Sequence, residues 1–283
     1  MSRAAAAAAA RNPHPNFKTV ESSRPPAPRA SFNVTQTTAP DWTFGSGANT
    51  PEPPSAHVSI DPYEPGRPAV FNYKLLISGI VPRPIAFLST RSGDGSTNLA
   101  PFSYFNMVNH DPPLFVVGFA SSVASAKDSL RNLLESKECV INVISDSFVE
   151  AANSTSIDAP YGTSEWDVSG LTAEECDVVK CPRVREAVFS VEAKLDMVKE
   201  WESRVSGQKT GVMVVLEGVR FWVREDAVNE DRNMIDPAVL RPIGRMGGIT
   251  YSRTNEAFEL PRPKFEEDLG GHQGLERIKT QKL

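Results

Sequence analysis

Short apolar runs alternate with turn-forming residues along most of this chain. Ile85 to Arg91 is apolar and β-branched, and Pro82 and Pro84 precede it. Ser92-Gly93-Asp94-Gly95-Ser96 follows, with an Asp-Gly pair of the kind that tolerates positive φ in a tight hairpin. Asn98 to Met107 is then predicted as the second arm. It sets small and polar residues (Asn98, Ala100, Ser103) among aromatics (Phe102, Tyr104, Phe105). A purely structural hairpin has little need of that mixture. A wall beside a flat ligand with a polar edge does need it.

Downstream, Leu114 to Ala120 is nearly all apolar, as in a strand buried on both faces or lining a closed barrel. Ser125 is predicted to cap a helix that runs to about Ser136. Asp128, at its third position, would complete a capping box, and Leu130, Leu133 and Leu134 would form its buried stripe. Glu138 to Ser145 reads as a strand and Ser147 to Ser154 as a short helix. Residues 156–183 read as a loop with one helical turn. Ala187 to Lys199 alternates like a half-exposed strand, and Thr210 to Arg224 is the most β-prone stretch. Residues 231–240 suggest a short helix ended by Pro242. The strands outnumber the helices and do not form successive βαβ units. The fold class is therefore mainly β, an antiparallel barrel with peripheral helices.

The ends have a different character. Ala4 to Ala10 is an alanine run between Arg3 and Arg11. It lacks an apolar face opposite a basic one, and Pro13 and Pro15 follow. That favours a disordered arm over a mitochondrial leader, which stays the alternative. Residues 20–56 are rich in Pro, Ser and Thr, yet Phe32, Trp42 and Phe44 interrupt them. We expect an extended or disordered N-terminal arm over 1–60, anchored by those rings, a barrel domain over 61–265 and a flexible tail over 266–283.

Composition narrows the function classes. Of 283 residues, 40% are hydrophobic and 23% charged, as in an ordinary soluble domain. The net charge is -5 with no basic block, which argues against nucleic acid as the main partner. No apolar run approaches the ~18 residues needed to span a membrane. Three cysteines without a C-x-x-C suggest a reducing compartment, the cytoplasm. A G-x-G-x-x-G after a strand, a P-loop and an H-E-x-x-H are all missing. The four histidines are scattered, so no metal is expected.

Three segments carry candidate chemistry. The hairpin offers Ser89 and Thr90 at the end of its first arm and Asn98, Ala100 and Ser103 on its second; each also fits a barrel wall. The helix start offers Lys127, Ser129, Arg131 and Asn132 beside free amides and the positive end of a dipole, a setting for phosphate. It equally fits a capped surface helix. Gly244-Arg245-Met246-Gly247-Gly248 allows close backbone approach, with Arg245 as a cation, or else is a plain turn at the barrel end.

PRPIAFLST, NLAPFSYFN, DPPLFVV, KDSLRNL and ECVINVI stand here in order, followed by GRMGGITY. Together they resemble the flavin reductase-like family of FMN-binding split-barrel proteins, over roughly residues 61–260. The resemblance implies a six-stranded antiparallel Greek-key barrel, a homodimer, and bound FMN reduced by NAD(P)H. It also implies an oxidoreductase; a flavin-dependent oxygenase or reductase of a small molecule, or an electron carrier, are the alternatives. It sets Ser89 and Thr90 beside the flavin, and Asn98, Leu99, Ala100 and Ser103 along its ring. Lys127, Ser129, Arg131 and Asn132 fall near the phosphate, and Arg245 and Gly247 at a closing turn. Arg83 is a further candidate cation for the ring edge. Ser129 stands where the family often has Thr, and the hydroxyl is kept. The N-terminal extension resembles that of longer fungal members. No catalytic dyad is expected, because the flavin carries the chemistry.

Overall fold

Strand β2 (Ala86–Arg91) is buried on both faces, and the fold is arranged around it. The structure, a computed structural model, describes residues 17–27, 31–49, 56–160 and 163–281. The alanine run lies outside them. Two short elements come first, α1 (Phe17–Ser22) and β1 (Asn33–Thr35), and then α2 (Ala69–Gly79). The hairpin follows as β2 (Ala86–Arg91) and β3 (Thr97–Phe102). Ala86 and Leu88 point into one apolar cluster, while Ile85 and Phe87 point into another. That is the period of two expected of a strand between two layers. The predicted turn is present: Gly95 has φ 92°, and Asp94 accepts from the amide of Ser96 at 2.9 Å.

The second arm departs from expectation. It breaks at Ser103 and Tyr104, and β4 (Phe105–His110) then pairs with β5 (Pro113–Phe119) instead of continuing along β2. After β5 come α3 (Asp128–Ser136), β6 (Glu138–Val143), a 3-10 turn (Asp146–Phe148), α4 (Val149–Ser154) and α5 (Glu165–Ser169). Two-residue strands β7 (Ala173–Glu174) and β8 (Arg183–Val184) lead to the long pair β9 (Phe189–Glu202) and β10 (Lys209–Val223). Then come α6 (Pro237–Leu240), β11 (Ile243–Arg245), β12 (Tyr251–Arg253), β13 (Glu256–Phe258) and α7 (Gly271–Gln281).

The main sheet is antiparallel with order β3-β2-β6-β9-β10-β5-β4. Its two ends, β3 and β4, meet at the corner formed by Ser103 and Tyr104. There the Tyr104 carbonyl accepts the Gly118 amide at 2.7 Å, and Phe102 packs on Phe119 with ring centroids 4.7 Å apart. Any side chain at Gly118 would meet Tyr104 Cβ at 2.9 Å, so glycine is required for this closure. The expected mainly β split barrel is therefore present with seven strands; the corner turns one predicted arm into two. Leu130 and Leu133 of α3 pack with Leu88, Val117 and Val214 in the barrel cluster. Each such side chain contributes about 1.5–3 kcal/mol by leaving water.

The predicted cap of α3 does not form. The helix starts at Asp128, behind an extended Lys127 that makes no side-chain capping bond. The Ser125 hydroxyl turns instead to Ser122 at 2.7 Å. Asp128, as the first helical residue, lies 3.8 Å from Arg131.

The chain divides into two units, 1–29 with 62–254 and 30–61 with 255–283. In the smaller one, β1 pairs in parallel with β13. Trp42 and Phe44 contact each other there and remain partly exposed. Gly271–Gln281 is helical where the composition suggests an irregular tail. Among the described residues no helix is long and apolar enough to cross a membrane. Nor does any group of three or more His, Cys, Asp or Glu there have the geometry to hold a metal ion.

One buried carboxylate fastens a connection to the barrel. Glu192, on β9, is 0% exposed. It accepts from the Trp222 indole at 2.7 Å and from the amides of Asp177, Val178 and Val179 at 3.1, 2.6 and 2.8 Å. Burial alone would raise its pKa, but these four donors bring it below the ordinary 4.5. A depressed carboxylate stabilises the fold above its unfolded pKa, and that contribution fades as pH falls through the folded value. Glu192→Gln turns an amide donor toward these donors and is expected to lower the unfolding free energy by about 2–3 kcal/mol at neutral pH. Urea denaturation measures this, and the gap to wild type should narrow below the ordinary carboxylate value.

Candidate functional site

A cleft of about 620 Å³ opens in the larger unit. Its walls come from β3, the corner after it, β5, the start of α3, residues 155–159, Glu165 and the turn after β11. These segments are far apart in sequence, and the closure at Tyr104 brings them together.

Asn98, Ala100 and Ser103, which the hairpin pattern singles out, line one wall. Lys127 and Ser129 line another. The first amides of an α-helix have no partner within the helix. With Lys127 extended and making no capping bond, those of α3 stay available at the cleft. Lys127 reaches across to Asp158 at 3.2 Å; both side chains are more than four-fifths exposed, so the pair is weak.

Arg83 and Arg245 also line the cleft, but their guanidinium groups are engaged. Arg83 is 8% exposed and donates to the carbonyls of Ile77 at 2.6 Å, Ile80 at 2.8 Å and Met246 at 3.1 Å. It clips the end of α2 to the glycine turn, while its Nε is buried without a partner among the described residues. Burial lowers its pKa from the ordinary value. Arg245 bonds the Gly248 carbonyl at 2.9 Å and lies over the Tyr251 ring at 4.3 Å. Tyr251 in turn donates to Asn153 at 2.8 Å.

Six predicted residues fall outside the lining. Ser89, Thr90 and Leu99 are each 0% exposed within the sheet. Asn132 is buried too and donates to the Thr90 hydroxyl at 3.3 Å, so that pair fastens α3 to β2. Their spacing matched a site because residues that hold a site share its segments. Arg131 is turned back to the Ala126 carbonyl at 3.1 Å and toward Asp128. Gly247 packs against Ser78, and its neighbour Gly248, with φ 61°, meets the cleft instead.

The sequence pattern passed over Glu165, which lies in the stretch read as loop. It begins α5 behind Ser164, whose hydroxyl accepts from the Asp167 amide at 3.4 Å. That Ser-x-x-Asp spacing was the available signal. Glu165 is 8% exposed and lines the cleft. Its Oε2 takes the Leu99 amide at 3.3 Å. Seated with its amide nitrogen toward Glu165, Asn98 donates to Oε2 at 3.2 Å. The Asn98 oxygen then accepts from Ser129 Oγ at 2.6 Å and from the Leu99 amide at 3.2 Å. Burial raises the Glu165 pKa above the ordinary 4.5; the amides of Glu165 and Leu99 partly offset this, and the Asp128 charge adds to it.

The site thus combines an anion-seeking helix start, a small-residue wall, aromatic rings at Phe102 and Phe119, and a cationic turn. Residues 78–241 match the family model described as flavin reductase like domain. Among solved structures, nitrilotriacetate monooxygenase component B from Bacillus cereus is 34% identical with a TM-score of 0.68, covering 73% of this chain and 100% of its own. The 2-nitrobenzoate 2-nitroreductase of Pseudomonas fluorescens is 28% identical with a TM-score of 0.64, covering 74% and 98%. A split barrel domain structure from Shewanella frigidimarina agrees in fold, at 22% identity and a TM-score of 0.62 over 74% of this chain and 100% of its own. The family match spans more than half of the sequence and falls on the strands and helix that build the cleft, so this chain belongs to the flavin reductase-like family.

Proposed function

We propose that this chain is an FMN-binding oxidoreductase that takes electrons from NADH or NADPH and passes them to free flavin, oxygen or a separate acceptor. The observation that carries the reading is one cleft holding Ser129 at an uncapped helix start, the Ala100–Ser103 wall and the Arg245 turn. Its volume is that of a small-molecule site, about 300–1,000 Å³. The donor set suits a phosphate at one end and a flat, polar-edged ring at the other. Asp128 and Glu165 line the same cleft and oppose an anion there; Arg131 beside Asp128 and the donors around Glu165 temper them.

Bound FMN would supply the hydride and electron chemistry. The residues have supporting tasks. Ser129, Lys127 and the first amides of α3 would hold the phosphate. Ala100 has no bulk to obstruct a ring, and the backbone beside it would hydrogen-bond the rim. Arg245 would favour negative charge on its side of the cleft. Arg83, Thr90 and Asn132 would act only through the walls they fix.

A second reading, direct reduction of a small aromatic substrate, draws on the 28% identity to the nitroreductase and on Phe102, Tyr104 and Phe119 in the lining. A homodimer is also proposed. Leu75, Leu76 and Ile80 at the end of α2, and Met107 and Val108 on β4, are all about half exposed or more, as interface residues are in an isolated chain. Three free cysteines, all buried or half-buried, fit a reducing cytoplasmic setting.

The purified protein should be yellow or become so with FMN, and should discriminate FMN from FAD in a fluorescence titration. Anaerobic NADH or NADPH should bleach the bound chromophore within seconds. Reoxidation by added FMN but not by a nitroaromatic favours the first reading, and the reverse favours the second. A protein that takes up no flavin refutes both.

Variants separate the roles. Ser129→Ala should weaken FMN binding about tenfold. Lys127→Ala should weaken it severalfold, because its charge is exposed. Arg131→Ala should change it little, and Arg83→Met should lower thermal stability together with affinity. Equal losses at Lys127 and Arg131 would move the phosphate to the outer face of α3.

For the dimer, light scattering should give twice the mass of one chain. A monomer at micromolar concentration would refute it.

A further inference from the structure

Two segments that line the cleft are joined across its rim. Lys127 directly precedes α3, and Asp158 stands beyond the end of α4, in the stretch 155–159. Lys127 Nζ donates to Asp158 Oδ1 at 3.2 Å. Both posts are fixed from behind. The Lys127 carbonyl accepts the Arg131 amide at 2.9 Å, closing the first turn of α3. Past α4, the amides of Ser156 and Ile157 bond the carbonyls of Asn153 and Ser154 at 3.0 and 3.3 Å. The buried Thr155 donates its hydroxyl to the Ala152 carbonyl at 2.8 Å. Asp158 follows immediately after this anchored stretch.

The pair stands on the solvent side of the helix start. The side chains of Lys127 and Asp158 are 83% and 93% exposed, whereas Ser129 is 4% exposed. An exposed ion pair contributes little to stability, but its place across the rim gives it another use. A lysine ammonium has three N–H donors, so Lys127 can keep Asp158 and still donate to an anion on its inner side. A phosphomonoester ends at its own oxygens and is compatible with a closed bridge. A phosphate esterified on both sides must send its second substituent out across the rim, where the bridge stands.

We propose that Lys127 and Asp158 form a clasp that makes the site selective for a flavin ending in a phosphomonoester, FMN, over one extended by a nucleotide, FAD. Asp158 is the specificity-determining residue, because it holds Lys127 across the exit. The inference rests on the FMN reading, with the phosphate at the start of α3.

The charges agree with this assignment. Carboxylate, ammonium and phosphomonoester alternate in sign. The second phosphate of FAD would instead come out toward Asp158, with no further cation to receive it. Arg131 is turned to the Ala126 carbonyl and toward Asp128. Among the described residues lining the cleft, the other cations are Arg83 and Arg245, which are held in the wall of the glycine turn.

Fluorescence titrations with FMN, FAD and riboflavin test this. Wild-type protein should bind FMN about fivefold or more tightly than FAD. Asp158→Asn should narrow that ratio about two- to fivefold, by weakening FMN and admitting FAD. Asp158→Glu should keep most of the wild-type ratio. Riboflavin, which lacks the phosphate, should bind all of them alike. In a Lys127→Ala background, Asp158→Asn should leave the ratio where Lys127→Ala alone puts it. Raising the ionic strength from about 0.01 M to about 1 M should narrow the wild-type ratio and leave that of Asp158→Asn flat.

An Asp158→Asn ratio equal to that of wild type overturns the inference and leaves the FMN reading standing. So does wild-type protein that binds FAD as tightly as FMN. Should the variants fail to fold, the salt series on wild type decides, and a ratio that salt does not change overturns the clasp. Wild-type protein that takes up neither flavin overturns both.

Discussion

The contact on which the site depends is the hydrogen bond from the Gly118 amide to the Tyr104 carbonyl at 2.7 Å. It joins the corner after β3 to β5, at the place where the two ends of the sheet meet. Without it the wall of Asn98, Ala100 and Ser103 would have no opposite side. The missing Cβ of Gly118 permits the approach, and the Phe102–Phe119 pair covers it with apolar surface. The cleft is therefore a consequence of barrel closure, and its shape is held by backbone geometry before any charged group contributes.

Much of this was legible. β2, β5, β6, β9 and β10 fall on apolar or alternating runs, because a strand between two layers must present both faces to apolar neighbours. The corner was not legible. Residues 98–107 keep one continuous β-prone pattern, and the break at Ser103 and Tyr104 is decided by Gly118, distant in sequence. The α3 cap was misplaced for a related reason. Ser125 and Asp128 have the right local chemistry, but Ser122 competes for the hydroxyl, and the helix starts only where Leu130 and Leu133 can reach the barrel.

Site residues divide along the same line. Local pattern marks the segments that approach a ligand, and cannot tell a side chain facing the cleft from one facing the core. Ser89, Thr90 and Asn132 share segments with Ala100 and Ser129 but point into the protein. Arg83 shows the strongest form of this ambiguity. As an isolated cation beside a binding turn it suggests an anion, yet its guanidinium answers three backbone carbonyls. Those carbonyls lie at the end of α2 and in the glycine turn, so the charge is consumed in building the wall.

The remaining polarity of the cleft can then be weighed. Arg83 is committed to the backbone and Arg245 to the Gly248 carbonyl and the Tyr251 ring. Lys127 is screened by water. Two carboxylates, Asp128 and Glu165, face the same space. Under the proposed FMN reading, a cleft with so little free positive charge would gain selectivity for an anion chiefly from directional donors, the α3 amides and the Ser129 hydroxyl. Directional donors are strong only when no protein acceptor claims them first. Ser129 Oγ lies 2.6 Å from Asn98, whose amide is itself bonded to Glu165 at the start of α5, so the protein's own acceptors already compete for that hydroxyl.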